Sequence, residues 1–233
     1  MAPLKDKEET SKQSSQAIAD DIAMAIAARK LPPGTKLREE ALAGVYSVSR
    51  TKIRAALLIL SKDKLVNIVP DKGAFVSQPS EKEAREVFAA RRIIEAAITR
   101  EFIAKAKTLD YKALERHLKQ EHKAVSDGNS RMRSEILGDF HILIAEIVGN
   151  HVLTEIMQEL IARSTLITML YQSERDAACS SDEHLAFLRA AKSGDTEHAI
   201  RLMMEHLEHV ESALQFNASE HEMKKDLITA LLT

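Results

Sequence analysis

Three histidines and an arginine in the later part of this 233-residue chain, and two arginines near residue 50, are the side chains best suited to chemistry. His141 lies in FHILIAEIVGN, His184 in SDEHLAFLRAAKSGD and His206 in RLMMEHLEHV. Three neutral imidazoles pointing into one cavity would bind zinc, nickel or another borderline divalent cation and leave coordination positions open. Arg91 would offer a planar fork to a carboxylate; its other reading is an ion pair with Glu95 one helical turn on. The histidines are far apart in the chain. On spacing alone, each is better explained as a surface residue or a satisfied core residue.

Arg50 and Arg54 are four apart on a segment whose Ile53, Ala56, Leu57 and Leu60 recur at helical spacing, so the arginines share a face away from the buried stripe. Ser47 or Ser49 can cap this helix, whose N-terminal end suits phosphate. Ser49, Thr51 and Lys52 lie beside the arginines in its first turns. An arginine there can grip guanine through two hydrogen bonds or clamp a phosphate.

The elements around these arginines follow a groove-reading order. Pro32, Pro33 and Gly34 end an upstream helix expected over about Gln16–Lys30. A short helix follows over Arg38–Gly44, then a turn through Tyr46 and Ser47, then the helix opening on Ser49. Two β-branched runs, Val66–Val69 and Ala74–Val76, are parted by Pro70, Asp71, Lys72 and Gly73. Helix, turn, helix and hairpin make a winged helix-turn-helix, with Arg38 and the wing residues Lys72 and Gly73 expected to assist at DNA.

This segment closely resembles the N-terminal domain of the GntR family of bacterial repressors. The match is carried by Pro33, Gly34, Leu37, Glu39, Leu42, Ala43, Val48, Ser49, Arg50, Thr51, Arg54, Ala56, Leu57, Leu65, Val66 and Gly73. It departs at Lys52, where the family has proline, and at Ala55, where it has glutamate. Lys52 adds a charge near the phosphates, so a different operator preference is expected.

Charge is unevenly spread over a chain whose formal net charge is −2. Residues 22–78 carry ten Lys or Arg against four acids, and residues 79–233 carry twenty against twenty-six. A basic head on an acidic body suits a nucleic-acid binder whose second domain stays off DNA. No apolar run approaches a membrane span, no signal peptide is read, and Cys179 stands alone, so a cytoplasmic protein without a disulfide framework is expected.

All five prolines lie at or before Pro79, and the 154 residues after it hold four glycines. Such a stretch reads as all helix. The expected architecture is mainly α: a mobile arm over 1–15, the winged helix-turn-helix over 16–78, and a helical bundle over 79–233. Ser80 and Glu83 form a capping-box pair at the bundle's start. Six helices are expected at roughly 81–106, 110–127, 130–148, 151–175, 180–193 and 196–218, with a seventh over 221–232.

Residues 81–215 resemble the effector domain of the FadR-type branch of GntR regulators, the all-helical FCD domain. The marks are Arg91 with Glu95, Phe140-His141, Gly149-Asn150, Glu183-His184, Gly194-Asp195, Ala199 and His206. The resemblance implies a divalent metal on His141, His184 and His206, and a small carboxylate effector that also meets Arg91; Asn150 either contacts that effector or caps the following helix, and capping is the favoured role. The family's fourth ligand, an aspartate one turn before the first histidine, is Leu137 here, and Asp139 should point elsewhere. The cavity could therefore hold metal on three histidines or bind an anion directly. His117, His122, His151, His198, His209 and His221 are expected to be solvated.

The function implied is a DNA-binding regulator, a repressor more readily than an activator, acting as a homodimer on a palindromic operator. The competing class is a histidine-metal enzyme with a DNA-binding head. It would want a carboxylate base beside the metal, and the chain has no HExxH motif.

Overall fold

The computed structural model describes residues 14–127, 130–172, 174–216 and 231. The arm expected over 1–15 and the helix expected over 221–232 fall almost wholly outside these residues.

Nine helices and one small sheet run in the order α1 (Ser15–Ala27), β1 (Lys36–Leu37), α2 (Glu39–Val45), α3 (Arg50–Lys62), β2 (Val66–Val69), β3 (Gly73–Val76), α4 (Glu81–Lys105), α5 (Thr108–Ser126), α6 (Ser130–Val148), α7 (His151–Tyr171), α8 (Glu174–Lys192) and α9 (Thr196–Ser212), counting described residues. The sheet order is β1-β3-β2, antiparallel throughout. The wing hairpin pairs Val69 with Gly73 across the turn. Asp71 there has φ 60° and Gly73 has φ 96°, so glycine fits the second position without strain. Strand β1 was not expected, because two residues carry no readable alternation.

Capping sets several boundaries. Ser14 Oγ accepts from Ala17 N at 3.0 Å, which starts α1 at Ser15, one residue before the expected Gln16. Ser80 Oγ accepts from Glu83 N at 3.1 Å and opens α4. The Asp110 carboxylate accepts from Lys107 N at 2.7 Å, so α5 begins at Thr108 instead of 110. Gly149 and Gly194 turn left-handed, at φ 76° and 78°, after α6 and in the α8–α9 turn.

The expected break over Ala177–Ser180 is absent. Helix α8 starts at Glu174, and the chain breaks at Gln172 instead. Serines lower helix propensity, but Ser180 and Ser181 are buried, so packing overrides that preference. Helix α9 ends at Ser212, six residues earlier than expected.

Two cores form. One joins α1, α3 and the wing to the start of α4, to Leu166–Tyr171 of α7, and to Leu207 and Val210 of α9. The second fills the helical body around Phe102, Phe140, Ile161 and Phe187. The first core crosses from head to body; one hydrogen bond crosses with it, and a second ties α7 to the start of the body at Pro79. Arg29 Nη2 donates to the Gln172 carbonyl at 2.7 Å, and Tyr171 Oη donates to the Pro79 carbonyl at 3.1 Å.

Candidate functional site: a histidine cavity and an arginine-bearing helix end

Helices α6, α8 and α9 bring His141, His184 and His206 together. One ring nitrogen from each lies within 4.8 Å of the others, and all three residues are buried. His184 Nε2 and His206 Nε2 are 3.3 Å apart. Phe140 stacks on His184 with ring centroids 4.1 Å apart.

Each histidine has a glutamate behind it. His141 Nδ1 lies 2.6 Å from Glu95 Oε2, His184 Nδ1 lies 3.0 Å from Glu121 Oε1, and His206 Nδ1 lies 2.7 Å from Glu183 Oε2. Burial acts to raise the Glu95 carboxyl, but Arg91 and His141 outweigh it and hold it at about 2. Burial is likewise outweighed at Glu121, by His184 and His117, which also leaves it at about 2. Burial pushes His141 down to about 3 and His206 to about 4, against the pull of their glutamates.

Ionised carboxylates only accept, so a neutral imidazole beside one donates through Nδ1 and keeps a bare lone pair on Nε2. A carboxylate on the outer nitrogen that fixes the tautomer and aims the inner one is the usual support of a metal-binding histidine. Two nitrogens on a tetrahedral zinc at about 2.0–2.1 Å are about 3.3–3.4 Å apart. The His184–His206 separation matches that edge. The donor set therefore fits a borderline divalent cation.

A cavity of about 30 Å³ adjoins the triad, lined also by Arg91, Leu137, Ser164, Thr168 and Gln172. Space of that size takes an ion and about one or two waters. Arg91 makes the ion pair with Glu95. Its Nε donates to Glu95 Oε1 at 2.7 Å and its Nη1 to Ser164 Oγ at 3.0 Å. Its Nη2 is buried with no hydrogen-bond partner among the described residues, a donor corner open to an anion.

Asn150 takes the capping role favoured for it over ligand contact. It does not line the cavity; its Oδ1 accepts from Leu153 N at 3.2 Å and caps α7. Asp139 faces a different cavity, beside Asp63 and Ile142, as its spacing from His141 requires. His117 is not solvated as expected. It is half-buried, 2.9 Å from the Ile136 carbonyl and 3.4 Å from Glu121. His209 is exposed but shares Glu183 with His206, at 2.6 Å. His122, His151 and His198 are exposed, and His221 lies outside the described residues.

Sequence reasoning missed Glu121 altogether and did not connect Glu95 or Glu183 with histidine. A signal for Glu121 existed. It follows Leu114 and Leu118 on the buried stripe of α5, where a carboxylate is out of place without a partner.

In the head, Ser49 and not Ser47 caps α3, its Oγ 3.4 Å from Lys52 N. Arg50, Thr51 and Arg54 are exposed and Lys52 is half-buried. Glu39, at the start of α2, accepts from Arg54 Nε and lies 3.3 Å from Arg50 Nη2. Arg38 occupies the α2 N-cap position without a side-chain capping bond. Lys72 and Gly73 are exposed at the wing turn. Among the described residues no hydrogen bond or ion pair joins Arg38 or Lys72 to the Arg50–Glu39–Arg54 cluster.

Residues 14–76 match the bacterial regulatory proteins of the gntR family, and residues 86–209 match the FCD domain. The chain belongs to the GntR family, in its FCD-domain branch. This GntR-family chain is 24% identical to the HTH-type transcriptional repressor RspR of Escherichia coli K12 over 188 residues, 79% of this chain and 82% of the relative. It is 24% identical to the HTH-type transcriptional regulator LutR of Bacillus subtilis 168, across 79% of this chain and 94% of that protein. A solved GntR regulator from Rhodococcus sp. RHA1 superposes with a TM-score of 0.64 at 25% identity, over 85% of this chain and 95% of that one. The chain is thus a transcriptional regulator and not the histidine-metal enzyme weighed against it. No described helix is long and apolar enough to cross a membrane.

Proposed function

We propose that this GntR-family regulator is a cytoplasmic repressor that binds a palindromic operator as a homodimer and is controlled by a small organic acid at a metal-bearing histidine cavity. The observation that carries the reading is the convergence of three buried imidazoles, each backed by its own glutamate, next to an unsatisfied arginine donor. Repressors named among its relatives support the direction of control.

Arg50 and Arg54 read base edges or phosphates from the capped end of α3, with Ser49, Thr51 and Lys52 beside them. Arg38 and the wing residues Lys72 and Gly73 hold the backbone. In the body His141, His184 and His206 hold a zinc- or nickel-class ion, which supplies a positive centre for a carboxylate. Arg91 orients that carboxylate through Nη2. An effector larger than the 30 Å³ cavity must part the helices that line it. Control follows only if it binds the DNA-competent and incompetent arrangements unequally.

Protein purified without chelator or a histidine tag is tested for metal by elemental analysis and for DNA by gel shift on an operator selected from genomic fragments. About one metal per chain, lost in His184→Ala, and binding that weakens steeply with salt are expected. A monomer by light scattering, with and without operator, removes the palindromic reading. A metal-free protein with an anion on Arg91 removes the metal and keeps the effector.

A further inference from the structure

We infer that the cleft between the end of α3 and the α6–α7 face of the body binds a small organic amine, an ammonium group on an apolar stem. The cleft is separate from the histidine cavity and needs no metal.

The cleft encloses about 340 Å³, against about 30 Å³ beside the histidines. Pockets of about 300 Å³ and more take organic molecules of modest size. On α6 its wall is Arg131, Glu135, Asp139 and Ile142, spaced along one face of the helix. Leu137 and His141 line the other cavity. The head supplies Asp63 and Leu65. The floor is apolar and draws on both cores. Leu65, Leu166 and Met169 come from the core shared with the head, and Ile161 from the body's own. A stem laid on this floor exchanges water for side chains of both units.

The rim fixes the sign of the ligand. Asp63, Glu135 and Asp139 line the cleft with one guanidinium, that of Arg131, whose Nε lies 2.8 Å from Glu135 Oε1. Among the described residues the carboxylates of Asp63 and Asp139 have no hydrogen bond or ion pair. Asp63 is also the C-cap of α3, and the C-terminal end of a helix favours a cation. These acids do not converge as metal ligands do; among the described residues only His141, His184 and His206 meet that closely. A bare cation would use the rim and miss the floor. A neutral or anionic molecule would use the floor and leave the rim unbalanced. An ammonium on an apolar stem uses both. Because Asp63 and Leu65 belong to the head, the bound amine favours the head–body arrangement in which the cleft is formed.

The full-length protein is titrated by calorimetry with phenethylamine, phenethyl alcohol and methylamine, before and after metal is removed with chelator. Phenethylamine should saturate a single site per chain. Phenethyl alcohol, which keeps the stem, and methylamine, which keeps the charge, should each bind about tenfold or more weakly. Asp63→Asn with Asp139→Asn should weaken phenethylamine about tenfold or more, since hydrogen bonds to charged groups are the stronger ones. Ala162→Phe, which puts a ring into the cleft and keeps every rim charge, should abolish binding. Chelator should change none of this. No saturation by about 10 mM phenethylamine overturns the inference, as does equal binding of phenethyl alcohol or methylamine. Binding that chelator removes, or full affinity in either variant, overturns it too. If Ala162→Phe does not fold, as judged by circular dichroism, the rim variant decides alone.

Discussion

Glu39 holds Arg54 Nε with both carboxylate oxygens, at 2.8 and 2.9 Å, from a different helix of the head. The contact is made through Nε, and the Arg54 side chain stays 61% exposed. An arginine so held is oriented before DNA arrives. Arg50→Ala and Arg54→Ala should each weaken specific operator binding by about 1–3 kcal/mol if each makes a two-bond base contact. The pair is exposed, so Glu39→Gln should hardly change stability, yet it should reduce discrimination between operator variants. Equal binding of cognate and mismatched sites by gel shift, before and after each change, would remove the assignment.

The cavity imidazoles predict a pH dependence. Burial depresses His141 to about 3 and His206 to about 4 from an ordinary value of 6.5. A group with a depressed folded value contributes stability above its unfolded value and loses it as pH falls. Stability should therefore decline from about pH 6.5 toward 4, with each imidazole adding up to about 1.4 kcal/mol per pH unit. Glu95 and Glu121, both held at about 2, extend the loss below pH 4.5 with the same sign. Urea titrations of chelator-stripped, metal-free protein at pH 7.5, 6, 5 and 4 check this. A midpoint that stays flat to pH 5 in wild type, or that falls equally in His206→Gln, contradicts it.

Gly138 marks where α6 and α7 touch. A Cβ there would lie 2.8 Å from Thr165 Oγ1 and 2.9 Å from Ile161 Cγ2. Gly138→Ala should cost about 1–3 kcal/mol by overpacking. It should also press α7 away from α6 at the cavity wall. Denaturant unfolding gives the cost, and a change in metal affinity in the same variant would report the displaced wall.

Arg29 is the head's polar tie to the cavity. Its partner is the carbonyl of Gln172, whose residue lines the cavity. Arg29→Ala should destabilise the protein by about 1 kcal/mol and speed hydrogen exchange at the end of α1. Operator affinity should then respond less to any cavity ligand. An unchanged exchange pattern over residues 25–31 would count against the tie.

The head was legible because its local signals agree: Ser49, the stripe of Ile53, Ala56, Leu57 and Leu60, and the turn residues before Gly73 each specify the same layout. Resemblance located His141, His184 and His206, where spacing alone favoured separate histidines. The glutamates were hidden for a physical reason. Glu95 lies four residues from Arg91 and reads as a helix ion pair, and only the fold brings its second oxygen to His141, 46 residues away. Asn150 could cap or meet a ligand, and the helix that starts directly after it favoured the cap that the fold shows. The start of α8 was misread because Ser180 and Ser181 are poor helix formers on the surface and sit here in the interior.

Helix α7 has two sides with different neighbours. Ser164, Thr165 and Thr168 border the histidine cavity, while Leu166, Ile167, Met169, Leu170 and Tyr171 belong to the core of the DNA-binding head. Exchanging heads between relatives at the Pro79 junction would therefore sever a packed interior, not a tether. A chimera built that way should carry mismatched volumes at these five side chains and expose apolar surface. One that transfers residues 166–171 along with the foreign head should regain cooperative melting.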